Sequence, residues 1–148
     1  PPKPPLPTLF PYTTLFRSLL LAAALAACGA RQVKTERKGR IITLTDTILD
    51  TGGTDTVRFG RLHSGEIAQL RLWLANETSG PVVIAKYGRS CGCTTLEYDN
   101  QPINAGDAQQ VTLTFDARGE WGWQLKTLDV SFAGARSPLR LFIEAEVE

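Results

Sequence analysis

LRLFIEAEV, Leu139 to Val147, alternates apolar and polar residues over its whole length: Leu139, Leu141, Ile143, Ala145 and Val147 fall on one parity. Side chains alternate faces along an extended strand, so this spacing puts all five on one side and leaves the other to water. The same period of two recurs in Leu70, Leu72 and Leu74, in Val111, Leu113 and Phe115, and in Leu128, Val130 and Phe132. Half-buried strands of this kind belong to antiparallel sheets covering a core with one face. Between them lie stretches rich in turn formers: NETSGP at 76–81, DNQPINAGD at 99–107, ARGEWG at 117–122 and AGARSP at 133–138.

Further strands are expected at Arg40–Thr47, Val82–Tyr87 and Thr94–Tyr98, giving about seven in all, with no helical pattern among them. The fold class that follows is all-β: an immunoglobulin-like antiparallel sandwich over residues 40–148. A closed barrel is the competing architecture, since alternation does not say whether a sheet splits or closes.

The N-terminal part reads differently. TLFPYTTLFRS, Thr8 to Ser18, resembles an in-frame translation of a sequencing adapter, and residues 1–18 are set aside as an artefact. LLLAAALAA at 19–27 is too short for the about 20 residues that a membrane-spanning helix needs. Its length fits the hydrophobic region of a secretory signal. It ends in Leu25-Ala26-Ala27-Cys28-Gly29, which resembles a bacterial lipobox, with Cys28 as the lipidated residue. Residues 28–39 are polar and read as a lipidated tether. Removing 27 of 148 residues leaves 121, the size of one domain. It also removes Lys3 and Arg17 and no acid, so the formal charge falls from +1 to −1. That balance gives no footprint for nucleic acid and no polybasic membrane patch. The membrane is therefore the expected partner only through lipid on Cys28, and an envelope protein or a glycan is the expected ligand.

The order of features resembles the bacterial family called domain of unknown function 1573. It is carried by Phe59-Gly60, Gly65-Glu66, Asn76 with Ser79-Gly80-Pro81, and the strand Val82-Val83-Ile84. Ser90-Cys91-Gly92-Cys93-Thr94 follows, then Pro102-Ile103 with Gly106, Phe115-Asp116, and Lys126 to Val130. The resemblance implies an envelope lipoprotein with an immunoglobulin-like fold and brings no activity with it. Ser131 to Ala135 and Trp121-Gly122-Trp123 depart from the family pattern.

Cys91 and Cys93 can serve in three ways. A regular strand would hold the two sulfurs too far apart to join, but Gly92 permits a positive φ and a tight turn. The pair can then be architecture, as a disulfide or as two small buried side chains. It can be a thiol redox centre, with Lys86 and Arg89 as the nearby cations. It can offer two thiolates to Cu(I), although His63 is the one evident third ligand. His63 and Ser64 are sequence neighbours, which seldom make a base and nucleophile, and Asp46, Asp50 and Asp55 lack calcium-loop spacing. No catalytic set, resident metal or cofactor is expected. Trp121 and Trp123, around Gly122 in a turn, form a candidate binding surface suited to a sugar ring or a peptide, unless one of them folds back over the sandwich.

Overall fold

The computed structural model describes residues 2–5 and 38–148. The chain divides into two compact units, Pro1–Glu36 and Arg37–Glu148. In the first, residues 2–5 carry no regular structure; the signal-like run and Cys28 lie outside the described residues.

The second unit contains β1 (Arg40–Leu44), α1 (Asp46–Thr51), β2 (Gly53–Leu62), β3 (Ile67–Asn76), β4 (Ile84–Arg89), β5 (Thr94–Glu97), β6 (Ala108–Asp116), β7 (Gly122–Phe132) and β8 (Leu139–Val147). The strands form two four-stranded sheets, ordered β1-β3-β6-β5 and β2-β8-β7-β4. This is a sandwich and not a closed barrel. The alternating residues meet between the sheets: Leu72, Leu74, Val111, Leu113 and Phe115 from one, Leu128, Val130, Leu139, Leu141, Ile143 and Val147 from the other. Fully burying each such side chain is worth about 1.5–3 kcal/mol, which makes this core the main source of stability.

Three details differ from the sequence expectation. The span expected to be one strand to Thr47 breaks at Leu44, because Thr45 caps a short helix: its hydroxyl accepts from the Ile48 N–H at 3.4 Å. That helix carries the chain from the first sheet to the second. β1 and β2 therefore enter as edge strands without hairpin partners, and they run parallel to β3 and β8; the other four pairs are antiparallel.

β2 is an eighth strand. Its alternation is broken by a bulge between Arg58 and Gly60, where Gly60 has φ 78°. Phe59, the extra residue, has no partner on β8 and re-phases the strand, so Val57 turns inward before it and Leu62 after it, while Phe59 itself packs on Phe115 with ring centroids 5.7 Å apart. Finally, β4 starts at Ile84. Val82 instead makes an isolated bridge to Ile103, and a second irregularity lies between Ile84 and Lys86.

The tether's last two residues, Lys38 and Gly39, are already docked. Lys38 O accepts from the Trp73 indole N–H at 3.1 Å.

At one end of the sandwich Asn76 is fully buried with every polar atom paired. Its Nδ2 donates to Gly80 O and Ile103 O, both at 2.8 Å. Its Oδ1 accepts from the Thr78 N–H at 2.9 Å and the Thr78 hydroxyl at 2.7 Å. The backbone N–H reaches Asp107 O, and the carbonyl accepts from Gly106 N–H, both at 2.8 Å. Asn76→Ala orphans the buried Thr78 N–H, at a cost of about 1–3 kcal/mol, and leaves Ile103 O with only the Val82 N–H and Gly80 O with only the Thr78 hydroxyl. We expect a loss of roughly 2–3 kcal/mol in urea unfolding. Asn76→Asp is also expected to destabilise, because its carboxylate would face two carbonyl oxygens.

Candidate functional site

The two cysteines sit where the chain crosses between sheets. β4 is an edge of one sheet and β5 an edge of the other, and residues 90–93 join them. Tyr87 and Tyr98 span the same pair of edges, edge to face, with centroids 6.1 Å apart. Cys91 and Cys93 form a disulfide, with Cα atoms 5.2 Å apart and both residues partly buried. Gly92 does not take the positive φ expected of it, and a Cβ there would meet nothing within 4 Å. The turn closes through other contacts, leaving the glycine as a bare, exposed apex.

Those contacts secure the crossing at both ends. Ser90 N–H donates to Thr127 O of β7 at 2.9 Å, and Thr127 N–H returns a bond to Ser90 Oγ at 2.9 Å. Asp116 N–H of β6 donates to Cys93 O at 2.8 Å, and the Arg89 guanidinium donates to Thr94 O at 2.9 Å. By comparison the disulfide closes a ring of three residues, for which chain entropy supplies only roughly 1–2 kcal/mol. The crossing is held mainly by hydrogen bonds to β6 and β7.

The β6–β7 turn brings a third group to the sulfurs. The Asp116 carboxylate accepts from the Arg118 backbone N–H at 3.0 Å and from its guanidinium, and Glu120 N–H bonds Ala117 O at 3.2 Å. The tight turn that results aims Glu120 back at the thiol crossing. One carboxylate oxygen lies 3.9 Å from Cys91 Sγ, and the other accepts from Lys126 Nζ at 3.0 Å. Cys93 N–H also points at Cys91 Sγ, 2.9 Å away. Ligand atoms of Cys91, Cys93 and Glu120 lie within 4.8 Å of one another. With the sulfurs joined they offer no thiolate, so a soft cation could be held there only after reduction.

Glu120 carries no recognisable motif and was not singled out by sequence; its distance of 29 residues from Cys91 is bridged only by the topology. Of the cations near the pair, Arg89 donates to Thr94 O, and it is Lys126 that pairs with Glu120. His63 is exposed in the β2–β3 turn, where its backbone N–H meets Glu66 Oε2 at 2.9 Å. Asp46, Asp50 and Asp55 do not converge: Asp50 pairs with Arg136 and Asp55 with Arg40.

The same β6–β7 turn also presents the tryptophans. Neither folds back: Trp121 is 74% and Trp123 62% exposed. Trp123 and Leu125 project from the outer face of β7, opposite Glu146 and Glu144 of β8. Trp123 borders a shallow depression of about 230 Å³ with Arg58, Gly60, Arg61, Glu144 and Glu146. The missing side chain at the Gly60 bulge helps keep it open.

A family model described as Protein of unknown function (DUF1573) matches residues 51–147. The chain belongs to this family. In this DUF1573 chain the matched span takes in both the disulfide crossing and the tryptophan face. No curated protein matches it. Among solved structures it is similar to a protein of unknown function from Porphyromonas gingivalis W83, with 17% identity and a TM-score of 0.55, over 62% of this chain and 43% of that one. Two Vibrio cholerae proteases follow. The secreted serine protease VesC is 8% identical with a TM-score of 0.48, over 61% of this chain and 21% of that one. The VesB protease is 14% identical with a TM-score of 0.48, over 62% and 30%. The DUF1573 chain thus spans less than half the length of each, and the first likeness speaks for the sandwich fold alone.

Hydrogen bonds and charge from Arg118 hold the Asp116 carboxyl down from 3.8 to about 2. A depressed folded value means that the pair's contribution is present above the unfolded value near 3.8 and is lost as pH falls through about 2. A carbon-13 carboxyl titration should therefore place Asp116 near 2 and, in Arg118→Ala, return it toward 3.8.

Proposed function

We propose that this chain is a lipid-anchored, non-catalytic binding module of the bacterial cell envelope, taking its ligand on the outer face of the β2-β8-β7-β4 sheet. The observation that carries the binding reading is the exposure of Trp121, Trp123 and Leu125 together on and beside β7. Isolated exposed apolar residues are ordinary, but two exposed indoles and a leucine within five residues offer apolar area of the kind used in recognition. Support for a non-catalytic role comes from the ionisable groups. The resolved shifts, at Asp116, Arg118, Asp129 and Arg140, are explained by two surface ion pairs, Asp116 with Arg118 and Asp129 with Arg140. Perturbation of this kind is structural and differs from the desolvated groups of a reaction cleft.

The anchoring reading rests on the apolar run at 19–27 and on Leu25-Ala26-Ala27-Cys28-Gly29. Durable attachment takes two or more acyl chains, which a diacylglyceryl cysteine supplies. In a bacterial host, Cys28→Ser is expected to abolish incorporation of labelled palmitate and to move the protein from the membrane to the soluble fraction. Labelling that persists in the variant would refute the anchor.

One observation supports a carbohydrate as the ligand. The depression beside Trp123 is smaller than the roughly 300–1,000 Å³ of pockets that engulf small molecules. An indole face flanked by Arg58, Glu144 and Glu146 instead suits one sugar ring, its C–H face on the indole and its hydroxyls on the charged groups. Trp123→Ala is expected to weaken retention on an immobilised polysaccharide by roughly tenfold, with Trp121→Ala weakening it less. Neither should lower the melting temperature, because both side chains are exposed. Equal retention by wild type and Trp123→Ala would end the carbohydrate reading.

A further inference from the structure

We propose that Cys91–Cys93 is a reversible thiol-exchange centre whose electrophilic sulfur is Cys93, with Cys91 leaving. This is a second function, separate from the tryptophan face. Three observations lead to it. The crossing keeps its geometry through Ser90, Thr127, Asp116 and Arg89 contacts that involve no sulfur, so the strands on either side stay paired when the bond opens. Gly92 is exposed, with open space where a side chain would stand, and the cysteines on either side are only partly buried, although Cys93 also packs against the core. The Cys93 N–H, 2.9 Å from Cys91 Sγ, stabilises negative charge on that sulfur, as a leaving thiolate requires.

The reaction partner is a dithiol. One of its thiolates attacks Cys93 Sγ; the Cys91–Cys93 bond breaks, a mixed disulfide forms on Cys93, and Cys91 departs as a thiolate. The partner's second thiolate then attacks its own sulfur in the mixed disulfide and releases Cys93. The partner is oxidised to a disulfide, the pair is reduced by two electrons, and the partner's two thiol protons end on Cys91 and Cys93 through solvent. A buried structural bridge would be inert to this sequence under native conditions.

The full chain is treated with dithiothreitol under native conditions, and its thiols are counted by alkylation and mass spectrometry while its dichroism and melting are followed. The expected result is complete reduction with the strand-rich spectrum and cooperative melting retained, and re-formation of the bridge by oxidised glutathione. A bridge untouched by dithiothreitol in the folded state, or reduction that unfolds the domain, overturns the proposal. Brief exposure of the oxidised protein to reduced glutathione, followed by acid quench, alkylation and fragment sequencing, assigns the attacked sulfur. Glutathione is expected on Cys93 and the alkyl group on Cys91, by roughly tenfold over the reverse. The reverse pattern overturns the assignment.

Discussion

The saturated hydrogen bonding of Asn76 is the constraint on which one end of the sandwich depends. The apolar face between the sheets is non-directional and could be satisfied by more than one pairing of strands. A buried amide is different, since each donor and acceptor must find a partner in one geometry or cost free energy. Asn76 joins the end of β3 to the 78–80 turn and to the 103–107 segment. In doing so it sets where β4 leaves one loop and where β6 begins after another, and the thiol crossing is the chain between those two points.

Much of the fold was legible because the inner strands alternate strictly. β6, β7 and β8 carry apolar residues at every second position of their buried stretches, and these are the strands with neighbours on both sides, together with β3. What escaped lies at the edges. β2 contains Val57, Phe59 and Leu62 facing inward, a spacing that period two rejects until the Gly60 bulge is known. α1 has no buried residue and only a capping threonine to announce it.

The site was half legible. The paired cysteines and the paired tryptophans announce themselves by composition; the cysteines lie in a connection between two sheet edges, whereas Trp121 precedes β7 and Trp123 stands within it, not in a turn. Glu120 could not be found in the same way, because its relation to Cys91 is made by the β6–β7 turn folding across to the β4–β5 crossing. That turn in turn is shaped by Asp116 and Arg118, so a short polar pair on the surface positions both a carboxylate for the sulfurs and an indole for solvent. Gly92 shows the opposite case, a residue whose expected backbone role is absent and whose bare apex is its only visible consequence.

Both sheets are open, so each has two borders with unpaired backbone groups. β5 is only four residues long, β4 is interrupted after Ile84 and carries Lys86 and Arg89, and β2 is bent at Gly60 between Arg58 and Arg61. Short, kinked and cationic borders make poor templates for another chain's backbone. Copies of this domain held side by side at high density are thereby protected from zippering into a continuous aggregate, and one of these irregularities, the Gly60 bulge, is also what hid β2 from a simple periodic reading.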